Sequence, residues 1–308
     1  MEHFKLNLES DFKFDNIVVA LGNFDGFHIG HQSLISELNN IKIKKGYKTV
    51  VFLFESHTKD FIFNQSSSRI MSFYDKLKRL ESFNIDYVFS IEFSEKIKNL
   101  TPLEFLEFLT ENLNVKHIVV GSDYRFAKNR GGNTDFIKSY MNNKNLSCTI
   151  VDKISLDNME ISSTKIIEYI RNGNVELVKD LLGNFYSIKG KVVSGFQRGR
   201  NLGFPTANLD ISFNYVIPKE GVYFTKTIVD EKELYSFSSI GYNPTFDNKK
   251  STIESHIFDF DEDIYGKDIE LCFSKRLRDN IKFNSVDELI EQLKKDEIRC
   301  RELIKNIK

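Results

Sequence analysis

The chain has 308 residues, 41% of them hydrophobic and 28% charged, which is enough apolar material for packed cores and excludes a disordered chain. Its 43 Lys and Arg stand against 44 Asp and Glu, a net charge of −1, so no field gathers nucleic acid or an anionic membrane non-specifically. The length suits two domains better than one.

No apolar run reaches the ~18 residues of a membrane span, and no cleavable apolar segment opens the chain, so neither a membrane nor secretion is indicated. Cys148, Cys272 and Cys300 are scattered and lack CxxC spacing. That excludes a disulfide framework, gives no zinc signature and suits a reducing cytoplasm.

From residue 16 to about 183, short apolar runs alternate with helical patterns. Residues 17–21, 49–54, 87–91, 117–120 and 148–151 are the predicted strands, each apolar enough to be buried on both faces of a parallel sheet. Between them, Leu34, Ile35, Leu38 and Ile41 form one helical face that Gly46 ends, and Phe73, Leu77 and Leu80 form another. A third helix opens with Thr101-Pro102-Leu103-Glu104, an N-cap followed by Pro at the first helical position and a capping-box Glu. Alternating βαβ units predict a Rossmann-like, doubly wound parallel sheet, with its ligand at the carboxyl ends of the strands.

After Tyr186 the pattern changes. Residues 186–194, 222–229, 234–240, 252–258 and 269–273 read as strands with no helix between them, and three of the four prolines fall here. That predicts an antiparallel β-barrel or sandwich. A final helix starts at Ser285-Val286-Asp287-Glu288, another capping box, and turns Leu289, Ile290 and Leu293 inward. The predicted domains are 1–185 and 186–308.

Directly after the first strand comes Gly22-Asn23-Phe24-Asp25-Gly26-Phe27-His28-Ile29-Gly30-His31. Glycines allow a tight turn and close backbone approach to a phosphate, and the helix that follows offers free N–H groups at its positive end. His28 and His31, three apart, can both reach one ligand, and imidazoles suit a polyphosphate because they donate hydrogen bonds and take up charge. Far downstream, Ile161-Ser162-Ser163-Thr164 leads into a helix. Alone it reads as a cap; paired with the histidines in an α/β domain it reads as a second phosphate clamp.

The second half opens with Gly195-Phe196-Gln197-Arg198-Gly199-Arg200-Asn201-Leu202-Gly203-Phe204-Pro205-Thr206-Ala207-Asn208. A glycine-spaced basic loop can wrap phosphates through backbone N–H groups, although it is not a Walker A loop and an ordinary hairpin fits the pattern equally well. Thr206 and Asn208, two apart on an extended segment, point the same way and can share one hard cation. On the strand Thr252-Ile253-Glu254-Ser255-His256-Ile257, Glu254 and His256 share one face. A carboxylate facing a barrel mouth can accept the proton of an attacking hydroxyl; His256 reads as structural.

With these motifs in this order, the first half resembles the nucleotidylyltransferase superfamily. The whole chain resembles the bacterial bifunctional riboflavin kinase/FMN adenylyltransferase (FAD synthetase) family, through 22–32, Gly121-Ser122-Asp123-Tyr124-Arg125-Phe126, Ile161-Ser162-Ser163-Thr164 and Gly203-Phe204-Pro205-Thr206-Ala207-Asn208. The resemblance implies a C-terminal barrel that phosphorylates riboflavin to FMN and an N-terminal domain that adenylylates FMN to FAD, releasing pyrophosphate. It implies riboflavin, FMN and ATP as small-molecule partners, Mg²⁺ as cofactor, and neither nucleic acid nor a membrane. It implies that His28 and His31 stabilise the transition state of adenylyl transfer, and that Glu254 is the base for the ribityl hydroxyl. ATP contacts fall to Gly22, Asn23, Phe24, Gly30, Ser163 and Thr164 in the first site, and to Gly199, Arg200, Thr206 and Asn208 in the second. Thr206 and Asn208 also hold the metal, while Asp123 and Arg278 lie by the flavin. The sequence departs from the family where Glu160 and Ile167 replace arginines around the serine motif, with Lys165 and Arg171 as candidate substitutes. The alternative expectation is therefore a kinase whose transferase site is weakened or lost.

Overall fold

The computed structural model describes residues 1–12, 14–56, 60–61, 67–156, 159–195, 199, 202–242 and 251–306. Contacts divide the chain into two compact units, Met1–Ser163 and Thr164–Lys308.

The first unit is a six-stranded sheet in the order β1-β4-β3-β2-β5-β6, with every ladder parallel. Its strands are β1 (Glu2–Leu6), β2 (Ile17–Leu21), β3 (Lys48–Phe54), β4 (Tyr87–Ile91), β5 (Val115–Gly121) and β6 (Ser147–Val151). Successive residues of the central strand β2 feed opposite cores. Val18 and Ala20 pack with Leu34, Ile35, Leu38 and Ile41 of α1 (Ile29–Lys45), whereas Ile17, Val19 and Leu21 pack with the cluster holding Phe105 of α4 (Pro102–Glu107) and Ile137 of α5 (Thr134–Asn143). Both faces are covered, as a run of five fully buried residues requires. Gly46 ends α1 at φ 71, its N–H donating to the Lys42 carbonyl, and the Thr101–Glu104 capping box is formed in both directions.

Strand order places the site. The chain runs outward from β2 through α1, β3, α2 (Phe73–Glu81) and β4, then returns to lay β5 on the other side of β2. The carboxyl ends of β2 and β5 thus flank the switch point where open α/β sheets bind ligands. Edge strand β1 and the helix α3 (Glu95–Lys98) are among the short elements that escape the sequence pattern. Strand β1 alternates charge with apolar groups and buries only Leu6, and α3 has a single turn.

The two-strand flap of β7 (Ser155–Leu156) and β8 (Met159–Glu160) closes the first unit. Helix α6 (Ser163–Arg171) starts at the division, and α7 (Val175–Leu182) follows in the second unit. The strands of the second unit are β9 (Tyr186–Val193), β10 (Ala207–Asp210), β11 (Gly221–Val229), β12 (Lys232–Tyr242), β13 (Ser251–Ile257) and β14 (Asp268–Arg278). They close into a barrel in the order β10-β13-β12-β11-β14-β9, antiparallel throughout. A barrel is therefore formed rather than a sandwich, and β10 is the strand that completes it.

Alternate residues fill the barrel with Tyr223, Leu271 and Phe273, and with five fully buried hydroxyls: Thr225, Thr227, Ser236, Ser238 and Ser255. These satisfy one another, Thr225 Oγ1 lying 2.7 Å from Ser236 and Ser255 bridging to Thr227 at 3.2 Å. The terminal helix α8 (Val286–Lys305) covers an outer patch, where Ile290, Leu293 and Leu303 pack on Phe204, Phe224, Phe237 and Leu277. Ser285 caps α8 by accepting from the Glu288 N–H, but the Glu288 carboxylate accepts from Asn284 N instead of closing the box. The division at Ser163/Thr164 lies ahead of the expected 185/186, because α7 buries Val175, Val178, Leu181 and Leu182 and packs on β14 and β9. Helical periodicity tells that a face is buried, not which unit buries it.

Candidate active sites

The turn after β2 has a strained backbone. Phe24 (φ 49), Gly26 (φ 78) and Phe27 (φ 47) are all left-handed, a conformation that costs a non-glycine residue on the order of 1–3 kcal/mol and clusters at functional sites. Gly26 has no alternative, since a Cβ there meets Ile70 at 2.8 Å. The turn ends at His28, whose carbonyl accepts from the N–H groups of His31 and Gln32 and so starts α1.

This start stacks the two imidazoles, with centroids 3.7 Å apart and planes at 21°. Nδ1 of each is buried with no hydrogen-bond partner among the described residues. Burial lowers His28 to about 4, partly countered by Asp123. His31 falls well below its usual value, first through burial and then through the charges of His28 and Lys76. In the free protein at neutral pH, both rings are therefore uncharged, and each carries one N–H to donate. A buried polar atom without a partner is costly, and a polyphosphate is a ligand that supplies acceptors to such donors.

Of the residues expected around the first site, Ser163 reaches the turn directly, its Oγ donating to the Asp25 carbonyl at 2.9 Å. Gly22 and Asn23 lie along the turn, and a Cβ on Gly22 would sit 3.1 Å from the Phe24 ring. Phe24 is fully buried, its ring in the core beneath the turn and stacked on Phe27; only its backbone is left to meet a ligand. Gly30 sits against the His28 ring, where a Cβ would lie 3.1 Å from Nδ1. Thr164 is exposed on α6. Asp123, just past β5, is exposed and paired with Lys153 at 3.2 Å. Lys153 also pairs with Glu160, so that carboxylate has a cation beside it. Arg171 is exposed on the second unit.

The second constellation lies on the outer face of the barrel wall. Ser255 points inward to the hydroxyl cluster, so its neighbours Glu254 and His256 point outward. This replaces the expected mouth-facing Glu254. Glu254 is paired across the ladder with Asn208 of β10, and Thr206 Oγ1 donates to its Oε2 at 3.3 Å. Thr206, Asn208 and Glu254 are thus gathered in one half-buried group. Two glycines of the loop lie close against it: a Cβ on Gly195 would collide with the Asn208 amide, and one on Gly199 with the Phe204 carbonyl. The N–H groups of Leu202 and Phe204 both donate to the Gly199 carbonyl. Arg200 lies outside the described residues.

His256, expected to be structural, has a definite task. Its Nδ1 donates to the Pro205 carbonyl at 2.8 Å, and Phe204, Phe237 and Phe258 surround its ring. It anchors the backbone immediately before Thr206. Arg278 is engaged by the terminal helix: Nε lies 3.0 Å and Nη2 2.6 Å from Asp296 Oδ2, and Nη1 donates to the Asp279 carbonyl. Sequence reasoning passes over Asp296, Lys76 and the role of His256, because each looks like an ordinary member of its helix or strand.

The carboxylate, hydroxyl and amide of the second group are all hard oxygen donors, which suits Mg²⁺. Among the described residues no trio of His, Cys, Asp or Glu could hold a metal by itself; Mg²⁺ is commonly held by few protein oxygens together with substrate phosphates.

Comparison with known proteins bears on both sites. A family model described as FAD synthetase matches residues 12–165, and one described as riboflavin kinase matches 182–304. The bifunctional riboflavin kinase/FMN adenylyltransferase of Bacillus subtilis (strain 168) is 35% identical over 296 residues, which span 94% of this chain and 93% of that protein. The protein of the same name from Listeria monocytogenes is 37% identical over 285 residues, 92% of this chain and 90% of its own. A crystal structure from Streptococcus pneumoniae, described as a macrolide-efflux protein, is similar with a TM-score of 0.90 and 32% identity, covering 98% of this chain and 99% of that one. The efflux name is that protein's; the likeness carries the fold of both units. Among the described residues no helix is long and apolar enough to cross a membrane.

Proposed function

The chain belongs to the bifunctional riboflavin kinase/FMN adenylyltransferase family, and on that premise we propose which residues carry each of its two reactions. The chain phosphorylates riboflavin to FMN and adenylylates FMN to FAD, with ATP as co-substrate in both steps. The observation that carries the assignment is the presence of two separate constellations, the stacked His28–His31 pair and the Thr206–Asn208–Glu254 group.

At the barrel, Glu254 accepts the proton of the ribityl 5′-hydroxyl as its oxygen attacks the γ-phosphorus of ATP. The bond from that phosphorus to the β–γ bridging oxygen breaks, and ADP leaves. The outward-facing carboxylate lies beside Thr206 and Asn208, which hold the nucleotide phosphates and Mg²⁺. Bound Mg²⁺ supplies charge neutralisation on those phosphates. His256 fixes Pro205, and through it the position of Thr206. Gly199 and Arg200 belong to the loop over the phosphates. Arg278 serves the flavin side by anchoring α8 through Asp296.

At the parallel sheet, a phosphate oxygen of FMN attacks the α-phosphorus of ATP, the α–β bridging bond breaks and pyrophosphate departs. The attacking phosphate is already ionised, so no base is needed. His28 and His31 donate hydrogen bonds to the phosphoryl oxygens as charge builds there, and the charge of the nucleotide favours their protonation. Ser163 and Thr164, with the backbone of Gly22, Asn23, Phe24 and Gly30, grip the triphosphate, and Asp123 borders the flavin or adenosine.

The test is product analysis. Riboflavin, ATP and Mg²⁺ incubated with the full chain yield FAD, with FMN as an intermediate. Accumulation of FMN alone would mean that Glu160 and Ile167 have cost the chain its transferase.

A further inference from the structure

Lys76 stands at the end of the first turn of α2, a helix whose direction is fixed by the reciprocal Ser72–Asp75 capping box. A cation near a helix N-terminus opposes the helix dipole, and burying one is costly unless it is well paired. Lys76 is nevertheless only 8% exposed. Its Nζ donates at 2.8 Å to the carbonyl of Asn23, the residue where the strained turn begins.

Three alternate carbonyls of that turn are held by side chains from three different elements. Lys76 of α2 holds Asn23, Ser163 at the start of α6 holds Asp25 at 2.9 Å, and Gln32 of α1 holds Phe27 at 3.0 Å. The next carbonyl, that of His28, starts the helix bearing His31. Beneath them the buried Asp25 carboxylate accepts from the Ile70 N–H and is within electrostatic reach of Lys76 and Arg69, the latter paired with Asp60. The ammonium therefore does two things: it pins one end of a left-handed turn and puts positive charge near His31.

We propose that Lys76 is a positioning residue for adenylyl transfer, its grip on the Asn23 carbonyl setting where the turn presents His28 and His31. This rests on reading those histidines as the transferase pair. Lys76 need not touch substrate; its effect passes through the turn. The groups facing the histidines are then Lys76, Asp123 and each other, with Asp25 and Arg69 behind Lys76.

The experiment uses the full chain with Lys76→Met, which keeps the length and removes the ammonium, and with Lys76→Met/Asp25→Asn, which also removes the carboxylate charge that Lys76 faces. Rates of riboflavin phosphorylation and of FAD formation from supplied FMN are measured separately. Phosphorylation should be unchanged in both variants, reporting an intact barrel unit. The kcat for FAD formation should fall on the order of 100-fold, as a misplacement of about 1 Å in a reacting group does, while KM for ATP moves less than about threefold. The double variant should stay equally impaired, although its unfolding temperature recovers toward the parent's. Recovery of kcat in the double variant would overturn the proposal, because Lys76 would then serve only to neutralise Asp25. A raised KM with intact kcat would overturn it too, by making Lys76 a nucleotide ligand. His28→Ala/His31→Ala tests the premise separately: if that variant still forms FAD, the site assignment fails whatever Lys76 does.

Discussion

A methyl group added at residue 30 lies 3.1 Å from Nδ1 of His28, closer than a side chain tolerates without displacing its neighbour. Gly30→Ala should therefore tilt the ring that stacks on His31, and FAD formation should drop by an order of magnitude or more while riboflavin phosphorylation persists. Flavin chromatography from riboflavin would then show FMN accumulating. His28 also carries a pH signature. Its folded-state value of about 4, set by burial, lies below the ordinary histidine value, so between pH ~6.5 and 4 the unfolded chain holds more protons and stability falls as pH falls. Buried Asp25, raised by burial, acts with the opposite sign, so the comparison must be made against a variant. Urea unfolding at pH 7.5 and 5 should cost the parent more stability than it costs His28→Gln; equal losses would contradict the assignment. The closeness of His28 to His31 was legible in their spacing after a glycine turn, whereas the grouping of Thr206, Asn208 and Glu254 came from the resemblance, because spacing alone left an ordinary hairpin equally open. Lys76 was not legible, because a lysine on an amphipathic helix reads as solvated, and only the fold shows the carbonyl it meets.

Among the elements, the terminal helix is held by charge as well as by its apolar face. Arg278 on β14 and Asp296 on α8 form a largely buried, two-pronged pair, their side chains 16% and 4% exposed. Removing one partner of such a pair leaves an uncompensated charge and costs about 3–5 kcal/mol. Asp296→Asn should lower the urea midpoint of the barrel unit accordingly, while the Arg278→Met/Asp296→Leu double variant should recover much of the loss. The readable strands are each a near-continuous or alternating apolar run, even where they have only 5 residues. Two that escape such reading are β1 and β10. In β1 the apolar groups are interrupted by charge, and β10 sits inside a motif whose glycines and proline signal a loop. The inward hydroxyls of the barrel show the same limit: Ser and Thr at alternate positions read as a solvent face, yet here they satisfy one another inside the wall.

For the molecule as a whole, the boundary between units has a consequence. If α7 belongs to the barrel by its buried Val175, Val178, Leu181 and Leu182, a fragment covering 164–308 should fold and phosphorylate riboflavin. A fragment starting at 186 should unfold at a lower temperature, because it leaves the α7 face of β14 and β9 bare. Equal melting of the two would move the boundary back to 185. The even charge balance, −1 overall, fits small anionic substrates gathered by local donors rather than by a long-range field. The central claim is that two independent sites act in series on one flavin. The most direct test is to supply riboflavin or FMN, with ATP, to Glu254→Gln and to His28→Ala/His31→Ala and to separate the products. The first variant should leave riboflavin untouched yet convert FMN to FAD, and the second should turn riboflavin into FMN and stop. FAD made from riboflavin by either variant, or both steps lost together in one of them, would contradict the account.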